Sequence, residues 1–370
     1  MELSYWEIKN WFTAVDYTVV GSGIVGLHTA LRLRERFPAA KILVLEKGML
    51  PQGASTKNAG FACFGSLSEI IDDLNAHTEE EVLQLIEKRW KGLQLLRKRL
   101  GDQTIDFKPY GGYELFLTDD TTLDYCLSRM TFVNDLLRPL FKADVFSTEH
   151  NRFGFGHINE PMIFNPFEAQ IDTGNMMQAL LKQAVCENIL ILNQQTVTAF
   201  HDRADGVQVA LGDFSFHTQK LLFTTNGFAT QLLPAEVKPA RAQVFITEPI
   251  PDLHIKGTFH IDKGYYYFRN VEDRILFGGG RNLDFEGETT TEFGQTEIIQ
   301  NRLEEMLKTV ILPDREVKIA HRWSGIMGMG AQKSPIVRQH SENVYCGVRL
   351  GGMGVAIGSL VGTELADLID

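Results

Sequence analysis

"VVGSGIVGLHTALRL", Val19 to Leu33, decides how this chain folds. An apolar stretch ends in Gly21-Ser22-Gly23, a third glycine follows at Gly26, and helix-forming residues take over. Gly21 allows a tight turn, Gly23 lets backbone N–H groups approach a pyrophosphate, and Gly26 lets the helix pack close to the strand. Such a turn reads as a phosphate cradle. The phosphates belong to a nicotinamide cofactor that comes and goes, to a flavin that stays, or to nothing.

Working outward, Asp16 to Val20 reads as a buried strand before the turn. The helix Ile24 to Arg36 carries Leu27, Leu31 and Leu33 and stops before Pro38. A second strand, "KILVLEKG", ends at Glu46 and Lys47. Glu46 lies 20 residues after Gly26, where a ribose-binding acid is expected, and its charge disfavours a 2′-phosphate. A lone G-x-G-x-x-G is weak evidence. Strand, turn, helix, strand and acid in register are strong.

The chain of 370 residues is long enough for two domains, and 44% hydrophobic content allows a full core. No apolar run reaches the roughly 18 to 20 residues of a membrane helix. The amino end, "MELSYWEIKNWF", lacks the features of a secretory signal and reads as an aromatic lead-in that packs. Four cysteines (Cys63, Cys126, Cys186, Cys346) are scattered without a C-x-x-C pair, which suits a reducing cytoplasm. Neither they nor the 10 histidines show metal spacing, so no metal site is expected. A net charge of -11 argues against nucleic acid as a partner.

The next stretch separates the nucleotide alternatives. "GASTKNAGFACFGS", Gly53 to Ser66, is rich in small residues and asparagine and has no strand pattern. It resembles a segment of the D-amino-acid-oxidase-like flavoproteins, among them glycine oxidase, D-amino-acid dehydrogenase, sarcosine oxidase and γ-glutamylputrescine oxidase. Their G-A-S-x-x-N-x-G appears as Gly53, Ala54, Ser55, Asn58 and Gly60. In such proteins the segment passes along the FAD pyrophosphate and under the isoalloxazine. The family's A-x-G at a later strand end is here Thr225-Asn226-Gly227, which keeps the glycine turn. The closing "RLGGMGV" supplies a further glycine turn before a last helix, Val355 to Leu368. The resemblance runs from Asp16 to Ile369.

It implies a Rossmann-like α/β FAD-binding domain (residues 14–75, 165–235 and 320–370) interleaved with an α+β substrate domain on an antiparallel sheet (76–164 and 236–319). Contacts to non-covalent FAD are implied at Gly21, Gly23, Ile24, Val25, Gly26, Glu46, Lys47, Ala54, Ser55, Asn58, Ala59, Gly60, Phe61 and Ala62. Further along they fall at Val197, Thr225, Asn226, Gly227, Gly325, Arg349, Gly351, Gly352, Met353, Gly354 and Val355. The activity implied is oxidation of the C–N bond of an amine or amino acid. Hydride passes to flavin N5, the imine hydrolyses, and oxygen or a redox carrier accepts the electrons. An NAD-dependent dehydrogenase and a flavoprotein with structural FAD and a binding role are the alternatives.

Three residues are candidates for catalysis. Tyr265 alternates with Tyr267 and Arg269 on one strand face and falls where glycine oxidase has a substrate-contacting tyrosine. It is a pocket residue or a packed aromatic. Arg274 sits near the place of sarcosine oxidase's oxygen-assisting lysine, or is a surface hairpin arginine. Arg349, just before the closing glycines, offers a charge for reduced flavin or a substrate anion, or a structural ion pair. Lys57 touches the pyrophosphate or is solvated. Cys63 and Cys346 read as small buried hydrophobes. Where glycine oxidase reads W-x-G-hydrophobic-Arg and grips the substrate carboxylate, this chain has Trp323, Ser324, Gly325, Ile326 and Met327. An amine, or a substrate with a distant carboxylate, is therefore expected.

Overall fold

The computed structural model describes residues 2–370. The first strand, Val15–Val20, is buried on both faces and pairs in parallel with Ile42–Leu45 and Phe214–Phe223. The helix Ile24–Arg36 returns the chain between the first two strands, as a parallel pair requires. Leu190–Leu192 and Val344–Val348 extend the parallel sheet at either side, and Ile336–Gln339 closes one edge antiparallel. With the meander Ala199–Arg203 and Gly206–Leu211 this makes an eight-stranded sheet. Its helical face packs Leu27, Leu31 and Leu33 against Val19, Ile42, Val44 and Leu365. The opposite face packs Val20, Leu43 and Leu45 against the meander's Val207 and Val209.

A second eight-stranded sheet is mostly antiparallel. One of its faces is an aromatic core: Tyr113, Phe245, Phe259, Phe268 and Phe277 pack against Ile299, Leu303 and Met306 of the helix Glu297–Met306. Phe259 and Phe268 stack at 4.5 Å between ring centroids. Because side chains alternate along a strand, the residues between these aromatics face the other way, toward the first sheet. The long helix Glu79–Leu100, capped by the Thr78–Glu81 box, crosses the closing helix Gly354–Asp367 at Gly92. A Cβ at Gly92 would lie 2.2 Å from the Ala356 carbonyl oxygen.

The α/β class with an antiparallel second sheet was expected, and the structure shows it. Two details differ. The strand Ile319–Met329 belongs to the antiparallel sheet, paired along Lys238–Thr247, although the expected boundary assigned residues from 320 onward to the cofactor side. The crossing back to the parallel sheet comes only after Met329, at Ile336–Gln339 and Val344–Val348. In the aromatic lead-in only Phe12 is buried, against Phe214 and Phe216, while Tyr5 and Trp6 stay two-thirds exposed. No described helix is long and apolar enough to cross a membrane.

Candidate active site

Between the two sheets lies a cleft of about 1220 Å³. Its first wall is the glycine turn. Gly26 has no room for a side chain: a Cβ would lie 1.9 Å from the Gly21 carbonyl oxygen. Thr224 locks the same turn from the third strand, its hydroxyl donating to the Val20 and Gly21 carbonyls at 2.8 and 3.1 Å. The Ser55 hydroxyl accepts the Ile24 N–H at 2.9 Å, so the loop after the second strand caps the nucleotide helix. Glu46 is buried in the same place. One carboxylate oxygen accepts the Ser22 N–H and hydroxyl at 3.0 and 2.8 Å, and the other accepts the Gly48 and Gln52 N–H groups. It thereby ties the turn to the second strand's loop while facing the cleft.

The far wall is built from the antiparallel sheet. One rung of register partners runs Glu114–His260–Tyr267–Gly278–Val244–Trp323 across it. Gly278 has to be glycine, because a Cβ there would sit 2.1 Å from Val244 and 2.9 Å from the Tyr267 ring. Tyr267 and His260 therefore close over the Phe61 edge at 5.7 and 5.3 Å between centroids. The Trp323 indole N–H donates to the Lys57 carbonyl at 2.9 Å, pinning the Gly53–Gly60 loop to this rung. Burial pushes the Tyr267 phenol up to about 12, so it keeps its proton.

His260 Nε2 meets Glu168 at 2.8 Å, both buried. Burial opposes charge on the ring, but Glu168, with Glu69 and Glu114 farther off, outweighs it and pushes the imidazole up to about 9. Cys63 lies in the same cluster, its ligand atom within 4.8 Å of theirs. Its thiol is held neutral, chiefly by burial and then by the Glu168 charge. We read this cluster as an ion pair beside an inert thiol, since the two metal-ligating atoms of the pair are bonded to each other. A histidine in an unfolded chain titrates near 6.5. The pair's stabilisation is therefore complete below about pH 6.5 and is lost as pH rises through about 9, by about 3 kcal/mol. Thermal unfolding from pH 6 to 9.5 is expected to show this decline in the native protein and a flatter one in Glu168→Gln. Parallel curves would refute the assignment.

Of the residues expected at the cofactor, most line the cleft: Gly21, Gly23, Ile24, Val25, Glu46, Lys47, Ala54, Ser55, Asn58, Ala59, Gly60, Phe61, Val197, Thr225, Asn226, Gly325, Gly351, Gly352, Gly354 and Val355. Gly26 and Gly227 lie just behind its surface, where closely approaching backbone excludes a side chain. Ala62 is fully buried, and Met353 contacts Cys63 through sulfur at 3.7 Å. Asn226 joins two parts of the wall, its side-chain oxygen accepting the Arg349 and Leu350 N–H groups at 3.1 and 3.2 Å. Tyr265 and Lys57 line the cleft as well.

Arg274 and Arg349 do not. Arg274 donates to the Thr247 carbonyl of the neighbouring strand at 2.8 Å. Arg349 has φ +66°, which turns its side chain away from the closing glycines to the Ser334 carbonyl at 2.9 Å. The Arg274 guanidinium is committed to backbone, and that of Arg349 to backbone and to Glu236 at 3.9 Å, so neither is presented to the cleft. Among the cleft residues that escaped the sequence reading are His260, whose partner Glu168 is 92 residues distant; Arg281, at the end of a glycine run; and Lys333, paired with Asp73. The alternation Phe259–His260–Ile261 marked His260 as facing away from the core, but nothing local indicated what it would meet.

The cradle fits a dinucleotide. Its glycines leave no space for side chains, a buried carboxylate ends the second strand, and the cleft is larger than the roughly 300–1,000 Å³ of ordinary small-molecule sites. Fold and cleft together define a two-sheet dinucleotide-dependent enzyme. The model of the FAD dependent oxidoreductase family, DAO, matches residues 16–368, and the chain belongs to that family. It is an FAD-dependent oxidoreductase. The probable oxidoreductase OrdL of Haemophilus influenzae is 21% identical over 96% of this chain and 82% of its own. Among solved structures, iminodiacetate oxidase from Chelativorans sp. BNC1 aligns with TM-score 0.76 and 16% identity, covering 95% of both chains. L-proline dehydrogenase from P. horikoshii aligns with TM-score 0.74 and 17% identity, over 96% of this chain and 93% of that one.

Proposed function

We propose that this protein oxidises the C–N bond of an amine whose carboxylate, if it has one, is not attached to the reacting carbon. Bound FAD supplies the hydride acceptor, and the imine product is released to water. The chain's own groups bind, orient and exclude solvent. The Gly21–Gly26 cradle, Glu46 and the Gly53–Gly60 loop would hold the cofactor, and the His260–Tyr267–Val244 rung would form the dry wall opposite it. FAD would be held non-covalently: Cys63, the one cysteine lining the cleft among the described residues, keeps a neutral thiol. Oxygen or a redox carrier would take up the electrons. The unpaired cysteines suit a reducing cytoplasm.

The observation that carries the substrate reading is Met327. It lines the cleft beside Gly352, and by the resemblance to glycine oxidase it takes the sequence place of the arginine that grips an α-carboxylate. A thioether offers such a carboxylate nothing, and leaving it desolvated and unpaired costs several kcal/mol. Anaerobic flavin bleaching with amines, N-methyl amino acids and D-amino acids tests this. Amines should reduce the flavin at least tenfold faster than glycine, sarcosine or D-alanine. Fast reduction by those small amino acids at micromolar concentration, with amines inert, would overturn it.

A further inference from the structure

Arg349 and Arg269 could supply the charge that Met327 lacks, but both are occupied. Arg349 binds the Ser334 carbonyl, and Arg269 the Ile171 carbonyl at 3.0 Å. Arg281 is different. Among the described residues it is the one arginine that lines the cleft, it is half-buried, and its guanidinium makes no hydrogen bond or ion pair to the protein. It lies over the Phe285 ring at 4.9 Å, and Phe285 in turn meets Tyr265 edge-on at 5.8 Å.

The backbone is built to put it there. Gly279 has φ +120° and its Cβ would fall 2.0 Å from the Tyr265 carbonyl oxygen. Gly280 has φ +79° and donates its N–H to that same carbonyl at 2.9 Å. Only glycines allow this turn, and it brings Arg281 alongside Tyr265 at the cleft. Glu288, the carboxylate that could neutralise it, is committed: it holds Arg241 at 2.6 and 2.9 Å and accepts from Gln243 at 2.9 Å. Burial lowers the Arg281 pKa, but an arginine keeps its charge at neutral pH. A half-desolvated, unpaired planar fork on a flat aromatic platform is matched to a carboxylate.

We propose that Arg281, with Tyr265 beside it, is the anion-binding end of the substrate site, so that the substrate is an amine bearing a carboxylate remote from the oxidised carbon. This rests on the amine reading above and names its substrate class. The strand Ile319–Met329 that carries Met327 is separated from Arg274–Gly279, the strand that leads into Arg281, by Lys238–Thr247. The anion site thus lies along the same wall of the cleft, two strands over from Met327, and the carboxylate reaches it only if a chain of carbons separates it from the amine.

The test uses the FAD-loaded protein and unreactive probes. Butyrate, hexanoate and benzoate, with their amides as uncharged controls, are titrated while flavin absorbance is followed. Native protein should bind each acid more tightly than its amide. Arg281→Met and Arg281→Gln should bind the acids about 30-fold more weakly, with the amides unchanged, and Arg281→Lys should fall between. Gln serves if the Met variant loses flavin. Equal affinity for acid and amide in native protein, or undiminished acid binding in a flavin-loaded variant, would overturn the proposal. Anaerobic reduction by n-butylamine and 4-aminobutyrate separates the two readings. Loss of preference for 4-aminobutyrate in the variants supports both. If neither compound reduces any form, yet acid binding depends on Arg281, the anion site stands and the amine reading fails.

Discussion

Alanine at Gly26 is expected to lower the stability of the protein by roughly 3 kcal/mol and to leave it without flavin. The new methyl would lie 1.9 Å from the Gly21 carbonyl oxygen and 2.7 Å from the Thr224 hydroxyl. The first is backbone and cannot rotate away, and the second is itself bonded to the Val20 and Gly21 carbonyls. The helix Ile24–Arg36 would have to lift from the strand, and the N–H groups at its start would move with it. Gly23→Val separates cradle from fold. There the Cβ meets only the Ser55 hydroxyl, at 2.8 Å, which can turn aside at the cost of the cap it gives Ile24. That cap is worth about 1 kcal/mol. Gly23→Val should therefore fold, unfold a few degrees lower, and contain no flavin, because its side chain would project where the pyrophosphate has to pass. Flavin-to-protein absorbance ratios and thermal midpoints check both. Full flavin occupancy in Gly26→Ala would show that the turn does not hold the cofactor.

The parallel sheet was legible because its signals are local. An apolar run, three glycines, a helical repeat and an acid at the next strand's end each constrain their own neighbourhood. The antiparallel sheet was legible as alternation, since a strand with one aromatic face declares its period within five or six residues. What sequence could not supply was which alternate residues meet. The rung from Glu114 to Trp323 gathers residues from strands far apart in the chain, and register alone decides that Gly278 opposes Tyr267 and Val244. The arginines make the same point. Arg349 stands beside the closing glycines in sequence, but a left-handed backbone points it elsewhere. Arg281 stands in a nondescript loop, and two glycines turn it into the cleft. Proximity along the chain did not show which of them lines the cleft, because backbone φ angles at and before each arginine decide where its side chain goes.

Arg269→Met is expected to destabilise the flavin-loaded protein by about 3 kcal/mol and to speed flavin release at least tenfold. Arg269 is a buried cation with no carboxylate in contact. Burial pulls its pKa down to about 10, so it is still charged at neutral pH. It is held by carbonyls alone: Nε donates to Ala59, one terminal nitrogen to Ile171 at 3.0 Å and the other to Asn270 at 3.3 Å. Ala59 and Gly60 end the loop that faces the cleft, and Gly60 is packed so tightly that a Cβ would lie 2.4 Å from the Ile171 oxygen. The guanidinium thus clamps the cofactor-side loop to the antiparallel sheet. Methionine fills the volume and removes the burial cost of the charge, which works in favour of the variant. Against that, the Ala59 and Ile171 carbonyls lose their donors in a dry site, at roughly 1–3 kcal/mol each. The second effect wins because at least two acceptors are orphaned for one charge removed. Lysine has to choose between carbonyls that the planar fork reaches together, so Arg269→Lys should recover no more than half of the stability. Thermal unfolding gives the energy, and fluorescence of released flavin on dilution gives the rate. A purely structural arginine would lower the midpoint and leave the release rate unchanged, and that outcome would remove Arg269 from the cofactor site.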